Sequence, residues 1–256
     1  MAKRRVRQVG IGVGVLLASA GGYWGYCSYY QSCPVWLWSA NLSWLTAKLG
    51  AMAPALTAEQ VQQIRAQNIA LFNEKKLKYL YHTKVEGQVL AGLDLKQLAP
   101  YTEDPAKYDA LTAKYGAQIQ AGALAPVSIK FVNEHVGYGV FAEAPIKAGD
   151  FVGEYTGIIQ DKAFVRDTTY SWVYPILVNG RGEKVAISLD SKFEGNEMRY
   201  VNHAQDPNTI KVNIPLENVW HECYIAVKDI PVGKQVTVSY GDKYWKSRGK
   251  DPELFG

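Results

Sequence analysis

A mostly β chain with added helix, built from several small sheets behind a helical lead and an apolar amino-terminal segment, is the fold class that the sequence predicts. Three observations carry it. Beyond Ala125-Pro126, short alternating apolar runs follow one another closely, broken by Gly, Pro, Asn and Asp with no long helix between them. Between Thr57 and Ala125, apolar residues recur at spacings of three and four. Residues 8–47 carry no formally charged side chain. With 256 residues, 48% of them apolar and 20% charged, the chain can bury a sizeable core, which excludes a mostly disordered protein.

The amino-terminal stretch reads in two ways. Lys3-Arg4-Arg5-Val6-Arg7, an apolar run from Val9 and the small residues Ala18-Ser19-Ala20 fit a secretory signal peptide. The run continues through Tyr23, Trp24 and Tyr26 to roughly the 17–20 residues that an uncleaved membrane anchor needs. Residues 1–26 are therefore expected as a signal peptide or a membrane anchor. Residues 27–56 follow as a Trp-rich apolar linker or interfacial segment. Four of the seven tryptophans (Trp24, Trp36, Trp38, Trp44) fall in the uncharged block, and the run from Pro34 to Ala47 is too short to span a bilayer. Residues 8–47 are thus the candidate for membrane association, and the chain is expected to be membrane-anchored or secreted. The basic residues place the amino terminus in the cytoplasm. A single span would put the carboxyl-terminal half outside. Either the segment is therefore not a simple span, the second apolar run turns back as a hairpin and leaves that half facing the cytoplasm, or the protein is secreted as an effector into another cell.

From Thr57 the composition becomes ordinary, and residues 57–125 read as a helical region. Thr57-Ala58-Glu59-Gln60 fits a capping box, with Val61, Ile64 and Leu71 behind it at helical spacing, and predicts a helix running to about Tyr81. Pro105 opens a second helix whose stripe is Tyr108, Leu111, Tyr115 and Ile119. These stripes read as core packing. Strands are predicted at 127–131, 139–142, 151–155, 184–187, 224–227 and 235–239 within a domain over 126–245, and residues 246–256 form a tail.

Charge and cysteine content exclude several functions. The formal net charge is +4, but Lys3, Arg4, Arg5 and Arg7 supply it all, so the remainder is balanced and no direct nucleic-acid binding is expected. Three cysteines and no Cys-x-x-Cys pair exclude a disulfide framework and a zinc knuckle, so no metal is expected. Cys27 and Cys33 read equally as a local bridge or as free thiols. Cys223 reads as a packed or half-exposed thiol in a strand.

Four segments carry the chemistry. Gly137-Tyr138-Gly139-Val140-Phe141 is followed by Glu154-Tyr155-Thr156-Gly157, then by Arg199-Tyr200-Val201-Asn202-His203 with Pro207-Asn208. Last come Asp229 to Gly233 and Gln235-Val236-Thr237-Val238-Ser239-Tyr240-Gly241-Asp242. In this order, over about residues 127–245, they resemble the SET domain of protein-lysine methyltransferases. The resemblance implies a fold of several small β-sheets with a knot-like carboxyl-terminal crossing, an exception to the rule against threaded loops. It implies S-adenosylmethionine as cofactor and, as partner, a protein substrate with an accessible lysine, a histone among the candidates.

It also implies the site. Gly137, Tyr138 and Gly139 would border the cofactor's methionine part, where a missing Cβ permits close approach. Arg199, Tyr200, Asn202 and His203 would hold its amino-acid and adenine ends, with Tyr240 at the reacting centre and Tyr244 and Trp245 closing the pocket. Tyr240 and Tyr155 would be catalytic. Tyr155, Tyr170, Trp172 and Val238 would line the channel for the substrate lysine. Pro207 and Asn208 would serve structure, letting the carboxyl-terminal stretch pass close by. The chemistry suits these residue types. An ammonium with a reference pKa near 10.4 must lose its proton before attacking the methyl group, and a narrow apolar channel beside a sulfonium charge favours the neutral amine without a dedicated base.

The chain departs from the family at Ala204-Gln205, where Ser-Cys is usual, and in having no cysteine after Tyr240, so the zinc-binding tail is missing. Val238 stands where an aromatic residue is usual, which suggests room for more than one methyl group. Gln235 replaces an acid and is expected to matter only locally. The competing reading is a membrane-tethered SET-like module that binds a peptide without transferring methyl groups.

Overall fold

A computed structural model of the chain describes residues 55–175 and 186–249. The expected signal peptide or anchor over 1–26, nearly all of the Trp-rich stretch, Cys27, Cys33 and residues 250–256 of the tail lie outside them. Among the described residues no helix is long and apolar enough to cross a membrane.

Helix α1 spans Ala58–Glu74, and the capping box is formed: Thr57 Oγ1 accepts from the Gln60 amide at 3.2 Å while Gln60 Oε1 accepts from the Thr57 amide at 2.8 Å. It ends seven residues before the expected Tyr81. Lys76 takes a left-handed φ of 56°, and the Leu77 amide returns to the Phe72 carbonyl at 2.8 Å, a closure that stops a helix. The chain then forms β1 (Lys78–Tyr79), parallel to β9 (Glu194–Gly195), so tertiary pairing overrides helical periodicity there. Strand β2 is Lys84–Val85, and α2 spans Pro105–Gln120 as expected, with Asp104 as its cap.

Small sheets make up the rest. Strands β3 (Val127–Asn133) and β4 (Gly137–Ala142) form a hairpin; β4 also pairs with β13 (Gln235–Val238), which pairs with β10 (Asn202–His203). Strand β5 (Phe151–Glu154) pairs with β12 (Val219–Ala226), which pairs with β11 (Thr209–Leu216). A third sheet orders β2, β6 (Ile158–Asp161), β8 (Ile187–Asp190) and β7 (Ser171–Val173). Of the strand expected at 184–187, Lys184 and Val185 lie outside the described residues; β8 begins at Ile187, whose ladder partner Asp161 ends β6.

Of the long hairpin β11–β12, the sequence reading has only the strand expected at 224–227, the end of β12. The connecting two-residue loop, Glu217 and Asn218, has both φ angles positive (50° and 61°), the backbone that suits a tight hairpin. Pro215 is tolerated because β11 is an edge strand.

The described residues belong to one compact unit. Two apolar clusters build it. The larger joins Phe72, Val140, Ile159, Met198, Trp220 and Val236, all essentially without solvent exposure. The smaller lies on the other face of β11–β12, where Tyr115 and Ile119 of α2 meet Ile214, Cys223 and Ile225. Cys223 is therefore packed, and burial pushes its thiol pKa up.

Candidate functional site

The site is assembled by a crossing of two segments. Strand β10 lies parallel to β13, with Asn202 opposite Thr237 and His203 opposite Val238. The Asn208 side chain, between β10 and β11, ties that stretch to β13: its Nδ2 donates to the Gln235 carbonyl at 2.8 Å, and its Oδ1 accepts from the Thr237 amide at 2.8 Å. Two residues beyond β13, Tyr240 is held at both ends. Its amide donates to His203 Nδ1 at 3.2 Å and its hydroxyl donates to the Val201 carbonyl at 2.9 Å.

Two cavities meet there. The larger, about 290 Å³, is bordered by Gly137, Tyr138, Arg199, Asn202, His203 and Trp245 among others. The smaller, about 30 Å³, is walled by Tyr155, Trp172, Val201 and Tyr224. Thr169, Arg199, Tyr240 and Tyr244 border both. The rings interlock: Trp172 stands edge-on to Tyr155 and Tyr240, with centroids 6.3 and 6.2 Å away, and Trp245 stacks on Tyr240 at 5.9 Å.

Burial sets the electrostatics. It pushes the Tyr155 and Tyr240 phenols up, so both stay protonated and donate. The Tyr155 hydroxyl donates to the Tyr170 carbonyl at 2.7 Å. Burial pulls the His203 imidazole down, favouring its neutral form. Because His203 Nδ1 accepts from Tyr240, the network assigns the ring proton to Nε2, a buried atom without a protein partner.

Residues 137–241 match the SET domain family profile. This segment is a SET domain. Over 153 residues the chain is 32% identical to histone-lysine N-methyltransferase EZH2 of Chaetomium thermophilum, covering 54% of this chain and 10% of that protein. It is 30% identical over 141 residues to histone-lysine N-methyltransferase EHMT1 of Mus musculus, covering 52% of this chain and 10% of that protein. The chain thus spans about a tenth of the length of these curated relatives. Its fold is similar to that of ATXR5 in complex with histone H3.1, with TM-score 0.54 and 17% identity, covering 73% of this chain and 92% of that one.

Within the SET domain, most residues singled out from sequence converge. Gly137, Tyr138, Arg199, Tyr200, Asn202, His203, Tyr240 and, just beyond it, Trp245 all border the larger cavity. Tyr155 and Trp172 border the smaller one, whereas Tyr170 borders the larger. Arg199 is buried and anchors backbone: its Nε donates to the Ser191 carbonyl at 2.8 Å and its Nη2 to that of Lys192 at 3.1 Å.

Besides Tyr170, expected in the lysine channel, two residues are reassigned. Gly139 borders neither cavity; a Cβ there would run into Gln235 Oε1 and meet Val132 Cγ2 at 2.9 Å and Asn202 Nδ2 at 3.0 Å, so the glycine makes room for these three side chains. Val238 borders neither cavity and packs in the core, because alternation along β13 turns Val236 and Val238 inward together. Its small size therefore opens no space in the smaller cavity.

Sequence reasoning also passed over Tyr224, Thr169 and Arg248. Tyr224 sits in a segment recognised only as a strand. Arg248 belongs to α3 (Asp242–Arg248), a helix that crosses the boundary expected at 245. The flanking Gly241 and Gly249, with φ of 78° and 57°, were its available signal. Arg248 Nη2 donates to Thr168 Oγ1 at 3.1 Å, joining α3 to the segment before β7. Among the described residues, no group of three or more His, Cys, Asp or Glu is placed to hold a metal ion.

Proposed function

We propose that this chain transfers a methyl group from S-adenosylmethionine to a lysine side chain of a protein. The observation that carries the reading is the meeting of a nucleoside-sized cleft and a narrow aromatic pocket at Tyr240. The residues of the cleft fit the cofactor. His203 presents a buried Nε2 with no protein partner, and Gly137, at φ 79°, has nothing within 4 Å of the place a Cβ would take. Tyr244 and Trp245 offer ring faces and edges for an adenine, and the Asn202 amide, donating to the Tyr138 carbonyl at 3.0 Å, stands at the Gly137–Gly139 side. When bound, the cofactor supplies a sulfonium methyl, the electrophile of a direct displacement.

The chain's own residues do the rest. Tyr155 and Tyr240 commit their hydroxyl protons to backbone carbonyls, which leaves phenolic lone pairs to accept N–H or weak C–H contacts. Trp172, Tyr155 and Tyr224 wall the pocket and exclude water, disfavouring an ammonium and lowering the pKa of a lysine held there. At about 30 Å³ the smaller cavity is the narrower of the two, in keeping with a slender, unbranched side chain such as lysine. Alignment and desolvation then supply most of the rate.

A histone is the first substrate to test, because the curated relatives are histone-lysine methyltransferases and ATXR5 is recorded with histone H3.1. Residues 8–47 support a membrane-anchored or secreted location, which protease protection on intact membranes tests. For the activity, the full chain is incubated with methyl-labelled S-adenosylmethionine and histones or other lysine-rich proteins. Label reaching lysine in the wild type and lost in Tyr240→Phe supports the reading. Cofactor bound tightly with no label transferred favours a peptide-binding module instead.

A further inference from the structure

Helix α1 and strand β1 lie outside the SET segment, yet they reach its cleft through a buried polar chain. Asn68, on α1, is 3% exposed. Its Nδ2 donates to the Val127 carbonyl at 2.8 Å and its Oδ1 accepts from the Ile129 amide at 3.0 Å. The side-chain amide thus takes the place of a neighbouring strand along the edge of β3. The same Nδ2 donates to Glu197 Oε1 at 3.1 Å, and the Tyr79 hydroxyl donates to Glu197 Oε2 at 2.8 Å. Arg65 Nε in turn donates to the Tyr79 hydroxyl at 3.1 Å. Glu197 is fully buried, so its carboxylate relies on buried donors, these two side chains together with its own backbone amide.

Glu197 opens the short 3-10 helix Glu197–Tyr200, which presents Arg199 and Tyr200 to the larger cavity and leads directly into Asn202 and His203. The rings repeat the connection. Phe72, with no exposed surface, stands edge-on to Tyr200 at 5.8 Å and to Tyr79 at 5.3 Å. Tyr138, across the cleft, meets Tyr200 at 5.9 Å.

We infer that Asn68 and Tyr79 are positioning residues for the larger cleft: acting through Glu197, they fix the turn that carries Arg199, Tyr200, Asn202 and His203, so cofactor affinity is set in part from outside the SET segment. This rests on the proposed use of S-adenosylmethionine. Tyr79→Phe removes one donor and keeps the ring packed against Phe72. Glu197 then keeps Asn68 as its remaining side-chain donor.

The test uses the full chain, with S-adenosylmethionine affinity measured by calorimetry at a temperature where melting shows every variant folded. Amide exchange at residues 199–203 is followed without cofactor. Tyr79→Phe is expected to weaken binding about fivefold to tenfold and to speed that exchange by a similar factor, the scale of one lost hydrogen bond to a buried carboxylate. Glu197→Gln removes the carboxylate that needs the donor, so Tyr79→Phe added to it should cost much less than Tyr79→Phe alone. Bracing alone would lower the melting temperature and leave both readouts at wild-type values, which overturns the inference. A wild type that binds no S-adenosylmethionine instead overturns the proposed activity, and the exchange readout still decides whether Tyr79 positions the turn.

Discussion

Glu222 offers the most quantitative perturbation. It lies on β12 opposite Asn213, on the same face as Tyr224 of the smaller cavity, and its carboxyl is 3.3 Å from Lys211 Nζ. Burial pushes its pKa up to about 7 from an ordinary 4.5, with the Lys211 charge opposing only part of the shift. The folded state therefore keeps a proton that the unfolded chain releases near pH 4.5. Stability from this group is fully present below about pH 4.5 and is lost as pH rises through about 7. A difference of this size corresponds to about 3 kcal/mol. Other carboxylates shift the other way, Asp167 being held at about 2 by Thr169 and Lys192, so the total pH profile mixes signs. Subtracting the profile of Glu222→Gln isolates the one group. Denaturant unfolding of both proteins from about pH 5 to about pH 8 should show the variant gaining on the wild type as pH rises, by up to about 3 kcal/mol. A flat difference across that range, or a wild type that gains instead, refutes the reasoning.

Three further outcomes follow from the site. Tyr240→Phe keeps the ring that Trp172 and Trp245 pack against and removes the hydroxyl on Val201, so kcat should fall about a hundredfold with cofactor affinity nearly unchanged, read in steady-state kinetics. Trp245→Ala removes the ring stacked on Tyr240 and edge-on to His203 at 4.9 Å; calorimetry should show S-adenosylmethionine binding weakened about tenfold or more, with about 3 kcal/mol of stability lost in unfolding. Gly139→Ala forces a Cβ against Gln235 and Asn202 and should destabilise by about 1–3 kcal/mol, whereas an unchanged unfolding midpoint would show that Asn202 yields without cost.

Much of this was legible in the residues, for identifiable reasons. The capping box at Thr57 and the Pro105 opening are local hydrogen-bond and dihedral requirements, so they appear where the sequence puts them. The Arg199–His203 string and Tyr240 marked the site because their order and residue types are unusual. Helix α1 stopped short because Lys78–Tyr79 finds a partner in Glu194–Gly195, a pairing more than a hundred positions away that periodicity cannot report. Val238 was misplaced for a similar reason: a residue's separation from Tyr240 along the chain says nothing of the face it takes on β13 until the strand's neighbours are known.

By itself the sequence determined composition class, the alternation of small strands, the helical lead, and which residue types could serve a sulfonium cofactor and a lysine. Those are properties of single residues and short windows, governed by local sterics and hydropathy. Only the tertiary structure decided that Asn208 ties the stretch after β10 to β13, that two cavities share Tyr240, and that Asn68 and Tyr79 support the turn beneath the cleft. Each of these joins segments far apart in the chain, and burial, which shifts the phenols and Glu222, exists only once those segments are packed.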